Sequence, residues 1–124
     1  MIQKLILITF AGGAGALARY GLTGLVYRMT NSSRPWGTFA VNALGCFIAG
    51  ALWSIFESRW PVSSQTRTIV MIGFLGAFTT FSTYMVETGE MLRSAQWIGG
   101  ALNIFMHNGI GLLALFAGAA IVKS

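Results

Sequence analysis

Residues 73–84 read GFLGAFTTFSTY and lie inside an apolar run from residue 68 to about residue 91. Two glycines and four Ser or Thr residues within these twelve positions make a poor continuous helix. Irregular backbone at membrane depth is tolerated only where protein buries it or water reaches it. The stretch therefore predicts a membrane-spanning helix that is broken near Gly76–Thr79. Backbone carbonyls freed at such a break are oxygen ligands for a cation.

Three further apolar runs accompany this one, at residues 2–27, 38–56 and 97–122. Each is close to or longer than the roughly 20 residues that a helix needs to cross a bilayer. Lipid offers backbone groups no hydrogen-bond partners, so each run is expected to be helical. The sequence predicts an all-α membrane protein with four transmembrane helices in one domain, residues 1–124.

The composition agrees with a membrane protein. Hydrophobic residues make up 55% of the 124 residues and charged residues only 9%, against roughly 25% charged in soluble domains. The net charge of +5 comes from eight basic residues scattered singly between apolar runs. Nucleic-acid binding needs basic residues clustered on one face, so we expect no nucleic-acid partner. Such scattered charges are suited to contacts with anionic lipid headgroups.

The basic residues give the chain almost no preferred orientation in the membrane. Four spans place both termini on one side, and orientation follows the Lys and Arg bias between loops. One side carries four basic residues and the other three, namely Lys4, Arg59, Arg67 and Lys123 against Arg28, Arg34 and Arg93. The sequence therefore predicts insertion in both orientations, and an antiparallel homodimer formed from one sequence.

Small residues recur four apart within the spans and predict close helix packing, because packing drives helix association in lipid. The pairs are Gly12/Ala16, Gly45/Ala49, Gly50/Ser54 and Ala114/Gly118. Four tightly packed helices leave little room for a wide cavity, so a path for solute is expected to need a second copy.

Polar residues at membrane depth are costly and are candidates for function. Three helical stripes carry them: Thr38 with Asn42; Thr80, Thr83, Tyr84 and Glu87; and Asn103 with His107. For each stripe two interpretations stay open. The side chains line a pathway, or they join helices through hydrogen bonds and bond back to the preceding turn.

The chemistry of these stripes favours a small anion as the solute. Asn, Thr, Ser and Tyr supply hydrogen-bond donors, aromatic edges are electropositive, and Arg19 is the one embedded cation. Glu87 opposes this interpretation unless it is protonated or paired. An enzyme is not expected, because the chain has one His and one Cys and no phosphate-binding loop.

Three motifs carry a resemblance to a known family. They are residues 15–20 (GALARY), residues 37–42 (GTFAVN) with Gly45, and residues 73–83 (GFLGAFTTFST) with Glu87. Together they resemble the Fluc family, also called CrcB, of small dual-topology fluoride channels. The likeness covers the whole chain, although the fourth span is similar only in character.

The resemblance implies a passive, fluoride-selective channel of the bacterial plasma (inner) membrane that gives fluoride resistance. Hydrogen fluoride enters by diffusion and dissociates in the more neutral interior, and the channel lets the trapped anion leave without ATP. The resemblance also implies an antiparallel homodimer with two pores and a structural sodium ion at its centre.

Site residues also follow from the resemblance. Asn42, Phe81 and Thr83 correspond to a pore asparagine, the first ring of a phenylalanine box and a polar-track hydroxyl. Arg19 corresponds to an arginine near the aqueous vestibule. The carbonyls of Gly76 and Thr79 correspond to the sodium ligands. The fluoride pore is thus expected to include Asn42, Phe81, Tyr84, Thr83, Thr38, Asn103 and His107.

The chain departs from the family at Tyr84, because the second box position is usually Phe. The resemblance implies that a ring edge is wanted there and a hydroxyl is not. Tyr keeps the edge and is therefore compatible with conduction. A buried phenol usually has a hydrogen-bond partner, and Asn103 or His107 is expected to supply it.

A proton-coupled exporter of the small multidrug type is the alternative, since it shares this size and span number. Such an exporter needs a carboxylate in its first helix to bind cation and proton in turn. The first span here has Arg19 and no Asp or Glu.

Overall fold

The structure is a computed structural model that describes residues 1–32 and 35–123. Arg34, one of the loop charges counted above, lies outside the described residues. Within them the chain is helical and contains no strand. The helices are α1 (Ile2–Thr30), α2 (Trp36–Ser54), α3 (Ser64–Thr68), α4 (Gly76–Phe78), α5 (Phe81–Arg93) and α6 (Trp97–Lys123). A π-helical turn, Ile55–Arg59, continues α2, and a π-helical segment, Ile69–Leu75, joins α3 to α4.

The described residues form four helical stretches long and apolar enough to cross a membrane, which confirms the predicted fold class. They are Ile2–Thr30, Trp36–Arg59, Ser64–Arg93 and Trp97–Lys123. The first helix extends beyond the predicted end at residue 27, so Arg28 lies in its last turn. Asn31 ends α1 in the left-handed conformation (φ 46°), and its N–H bonds to the Tyr27 carbonyl at 2.9 Å.

The predicted break in the third span is present. Thr79 (φ −86°, ψ 159°) and Thr80 (φ −149°, ψ 113°) are extended and separate α4 from α5. The position agrees with the break expected near Gly76–Thr79. The third span therefore consists of two helical halves that meet in the middle of the bundle.

Glycines let the helix backbones approach each other closely, most clearly where α2 packs along α6. A Cβ on Gly50 would overlap the carbonyl oxygen of Leu115, and one on Gly118 would overlap that of Phe47. Both glycines belong to the predicted small-residue pairs. On α1 the closest approach is at Gly15, against the Phe74 carbonyl. It does not involve the predicted pair Gly12/Ala16.

A small apolar core lies beside the break, where α2 meets the third span. Val41, Leu75 and Phe78 are buried there, and the rings of Phe74 and Phe78 stack with centroids 5.9 Å apart. Most other large apolar side chains point outward; Phe105, for example, is 74% exposed. An apolar exterior of this kind is stable in lipid, where helix association depends on packing and not on exclusion of water.

Candidate ion pathway

Asn42 on α2 holds the break in the third span. Its Oδ1 accepts a hydrogen bond from the Thr80 backbone N–H at 2.8 Å. Its Nδ2 donates to the Thr80 carbonyl at 3.0 Å. One side-chain amide thus pairs with both backbone groups of a residue that has left the helical conformation, much as a neighbouring strand would. Buried backbone groups of this kind are costly when unpaired.

Thr80 also starts the second half of the span. Its hydroxyl accepts a hydrogen bond from the Thr83 N–H at 3.3 Å and donates to the Thr83 hydroxyl at 3.0 Å. Thr80 is therefore the N-cap of α5, a position that favours Thr. Thr79 behaves differently, since its hydroxyl bonds back to the Leu75 carbonyl at 3.0 Å. Back-bonding to the previous turn thus accounts for Thr79 but not for Thr80.

Gly76 and Thr79 are among the residues whose carbonyls lose their usual helical partners at the break. The N–H four residues beyond Gly76 belongs to Thr80 and donates to Asn42. The N–H four residues beyond Thr79 belongs to Thr83 and donates to the Thr80 hydroxyl. Neutral carbonyl oxygens freed in this way suit Na⁺. The predicted sodium ligands, Gly76 and Thr79, therefore fit the group in donor chemistry.

A cavity of about 400 Å³ opens beside the break. We call it the break cavity. Its polar and aromatic lining comes from α2, α5, α6 and the break itself, and consists of Asn42, Thr79, Thr80, Phe81, Tyr84, His107 and Asn108. Gly45 on α2 leaves space for Thr79, because a Cβ there would overlap the Thr79 methyl group. Asn42, which lines this cavity, has a second N–H that its two bonds to Thr80 do not use.

A row of rings borders the break cavity. Phe81 meets Tyr84 edge to face at 5.7 Å, and Tyr84 stacks on His107 with centroids 4.0 Å apart and planes at 20°. Phe39 then meets His107 edge to face at 5.4 Å. The positive edges of such rings attract anions, while their faces repel them. The two predicted box rings, Phe81 and Tyr84, are therefore neighbours within one chain.

His107 has one ring nitrogen engaged and one free. Its Nδ1 lies 3.1 Å from the Asn103 carbonyl, which can only accept, so Nδ1 carries the hydrogen. Its Nε2 is buried and has no partner among the described residues. In the neutral ring this nitrogen presents a lone pair.

The Tyr84 hydroxyl has a different partner from those expected. Neither Asn103 nor His107 bonds to it. Asn108 Nδ2 donates to the Tyr84 Oη at 3.3 Å. The expectation failed for His107 because that ring stacks face to face with the phenol, which keeps its nitrogens away from the hydroxyl.

Asn103 joins α6 to α5 and is only 7% exposed. Its amide donates to the Thr88 hydroxyl at 2.9 Å, and Thr88 donates to the Tyr84 carbonyl at 2.7 Å. The interhelical interpretation therefore accounts for the amide of Asn103. The residue also lines a separate cavity of about 340 Å³ together with Phe39 and Met106.

Another cavity, of about 630 Å³, lies between α1, α2 and α5. We call it the Arg19 cavity. Thr38 donates to the Glu87 Oε1 across it at 2.7 Å, and the other carboxylate oxygen has no partner among the described residues. Thr83 also lines it, and Thr80 lines both this cavity and the break cavity. The two spaces therefore adjoin at the broken helix.

Comparison with known proteins identifies the family. Residues 6–119 match the family described as CrcB-like protein, Camphor Resistance (CrcB). The chain belongs to the CrcB family. Among its relatives, a protein of Desulforapulum autotrophicum named Fluoride-specific ion channel FluC is 51% identical over 118 residues, 95% of this chain and 94% of the relative. Proteins of the same name from Nitrosococcus oceani and Solidesulfovibrio magneticus are 45% and 43% identical over 121 residues, 98% of this chain and 97% of each relative.

The structure of this CrcB chain groups the predicted site residues in three places. Asn42, Phe81, Tyr84 and His107 line the break cavity, while Arg19, Thr38 and Thr83 line the Arg19 cavity. Asn103 lies in neither. Sequence reasoning missed Asn108, which follows His107 directly and so fell outside the i, i+4 stripe. Its polar amide in the fourth span was the available signal.

The Asn42 bonds predict a specific weakness in this CrcB chain. Asn42→Ala leaves the buried Thr80 N–H unpaired, which costs about 1–3 kcal/mol, while the carbonyl of this N-cap residue keeps the first hydrogen bond of α5. We expect a lower unfolding temperature in detergent and faster hydrogen exchange at the Thr80 amide. Thr9→Ala is the control, because the Thr9 hydroxyl is exposed and bonds only to its own helix. Unchanged protection at Thr80 in Asn42→Ala would contradict this role.

Proposed function

We propose that this chain is a passive, fluoride-selective channel of the bacterial plasma membrane. Relatives named as fluoride-specific ion channels match it over almost its whole length. Its four membrane-spanning helices make it a multi-pass membrane protein. Relatives that are ion channels also agree with the expectation that the chain is not an enzyme.

The observation that carries the proposal is the break cavity. A pore selects among ions by its width and by the donors, acceptors and charges along it. This cavity offers the second N–H of Asn42, the Phe81 and Tyr84 rings and the Tyr84 hydroxyl. Fluoride is the smallest halide and the strongest hydrogen-bond acceptor among them, so such a lining suits it. Arg19, in the adjoining cavity, supplies a cation where the anion enters.

The channel carries fluoride outward without an energy source. Hydrogen fluoride is a weak acid that crosses lipid as the neutral molecule and dissociates in the more neutral cell interior. The trapped anion then leaves through the channel down its electrochemical gradient. This efflux accounts for fluoride resistance.

The small multidrug-type exporter gains no support from the structure. Such an exporter needs a carboxylate in its first helix, and α1 has none over its 29 residues. The nearest carboxylate to Arg19 in the Arg19 cavity belongs to Glu87 on α5, where Thr38 holds one of its oxygens.

We further propose that the working unit is an antiparallel homodimer. In a single chain Phe81 is 72% exposed, and Ser82, Thr83 and Gly76 are exposed beside it. Polar groups and irregular backbone facing lipid at this depth are costly. A second copy docked against the break would cover them and close each pathway. The balanced loop charges favour copies of opposite orientation, and the basic residues at helix ends suit anionic lipid headgroups.

The same dimer would hold a structural sodium ion. Gly76 and Thr79 supply two free carbonyl oxygens from one chain, and an opposed copy would supply two more. These residues would hold the ion at the dimer centre and tie the two broken helices together. Within the described residues no cluster of His, Cys, Asp or Glu offers another metal site.

Fluoride release from liposomes tests the function directly. Liposomes that contain the purified protein and are loaded with fluoride should release it when a potassium ionophore removes the build-up of charge. A fluoride-selective electrode measures the release. Liposomes loaded with chloride should keep it, and protein-free liposomes are the control. Chloride release at a similar rate would overturn the assignment to fluoride.

Cysteine labelling tests the two orientations. Ser94 lies in the exposed turn between α5 and α6, so Ser94→Cys in a Cys46→Ser background gives one reactive site. In intact cells an impermeant maleimide should label part of the protein, and the remainder should react only after permeabilisation. Added Lys residues on one side should shift the protein to a single orientation. Labelling from one side only, before any Lys is added, would exclude the antiparallel dimer.

A further inference from the structure

The Tyr84 hydroxyl is held in an orientation that the fluoride pathway can use. Tyr84 and Asn108 both line the break cavity. Nothing in the family resemblance assigns a role to either the hydroxyl or Asn108. A role for these two side chains in binding the anion rests on the proposed fluoride function.

The amide of Asn108 can face the phenol in only one way. Its Nδ2 lies 2.8 Å from the Ile104 carbonyl, and a carbonyl can only accept a hydrogen bond. The nitrogen end of the amide must therefore be the end that faces Ile104. The same nitrogen lies 3.3 Å from the Tyr84 Oη. Asn108 thus donates to the phenol oxygen and does not accept from it.

The phenol proton is consequently left for another acceptor. Conjugation with the ring keeps a phenol O–H in the ring plane, so the hydrogen has only two positions. The donor from Asn108 disfavours the position on its own side. His107 does not accept the proton, because its ring is stacked on Tyr84 and lies out of the phenol plane. Over residues 1–32 and 35–123 no other group accepts from this hydroxyl.

We propose that the Tyr84 hydroxyl donates a hydrogen bond to the fluoride ion in the break cavity, and that Asn108 is the positioning residue that aims it. A phenol is a stronger donor than an aliphatic hydroxyl because its proton is more acidic. The bond from Asn108 strengthens it further, since an oxygen that accepts a hydrogen bond donates more strongly. Tyr84 therefore presents the anion with both a ring edge and an O–H group, whereas Phe presents the edge alone.

The test is a double-mutant cycle on fluoride efflux, measured against internal fluoride concentration. Tyr84→Phe removes the hydroxyl and keeps the ring. Asn108→Leu removes the amide and keeps the branched shape of the side chain. Each should raise the fluoride concentration for half-maximal efflux by about tenfold, the scale of one hydrogen bond to a charged group. In the Tyr84→Phe background, Asn108→Leu should add nothing, because no hydroxyl remains to be aimed. Size-exclusion profiles confirm that each variant keeps its assembly.

The outcomes separate this inference from the proposed function. No fluoride efflux from the unsubstituted protein would overturn the channel itself. Normal efflux together with wild-type behaviour of Tyr84→Phe would overturn only the role of the hydroxyl. An equal loss from Asn108→Leu in both backgrounds would show that Asn108 acts through packing, and would overturn its positioning role. A non-additive loss would support both roles.

Discussion

The pairing of the Asn42 amide with both backbone groups of Thr80 is the interaction on which the rest of this structure depends. Lipid does not tolerate an open backbone, so a break in the third span persists only if something else satisfies the backbone groups that leave the helix. Asn42 supplies one donor and one acceptor at 3.0 and 2.8 Å. The extended Thr80 can then cap α5 and turn its hydroxyl toward Thr83.

Several features of the chain follow from that one interaction. Because Asn42 takes the Thr80 N–H, the Gly76 carbonyl loses its helical partner and becomes available to a cation. Because α5 begins at Phe81, directly after the break, Phe81 and Tyr84 lie in its first turn. Together with Asn42 they line the break cavity. The same break exposes polar side chains and the backbone of Gly76 at membrane depth, the surface that the proposed dimer would cover. The wall of the break cavity, the proposed cation ligands and the proposed dimer surface thus have a common origin.

Much of the fold was predictable because lipid imposes strong constraints. Long apolar runs predicted the four spans, and glycines with hydroxyl residues in residues 73–84 predicted the break. The ends of the helices were predicted less accurately, since α1 extends to Thr30 and not to residue 27. The residues of the site could be predicted from the sequence, but most of their hydrogen-bond partners could not. The helical periodicity of the polar residues marked Asn42 and Asn103 as candidates for function. It left open whether their side chains join helices or line a pathway.

The structure answers that question differently for each amide. Asn42 pairs with the backbone at the break and keeps one N–H that these bonds do not use. Asn103 instead donates its amide hydrogen bond to the Thr88 hydroxyl. Both outcomes depend on which backbone or hydroxyl lies opposite, and a single sequence does not contain that information. Asn108 was missed because it is adjacent to His107 and so lies about 100° around the helix. Both His107 and Asn108 nevertheless line the break cavity.

The central claim is that fluoride passes along the wall that the break exposes. Fluoride efflux from Phe81→Ile, compared with Phe105→Ile at matched protein density, tests it most directly. The two rings are almost equally exposed, at 72% and 74%, and Ile keeps much of the bulk while removing the aromatic edge. Phe81 lines the break cavity and Phe105 does not. The account predicts a strong loss of efflux for Phe81→Ile alone. Normal efflux from Phe81→Ile, or an equal loss from both variants, would contradict it.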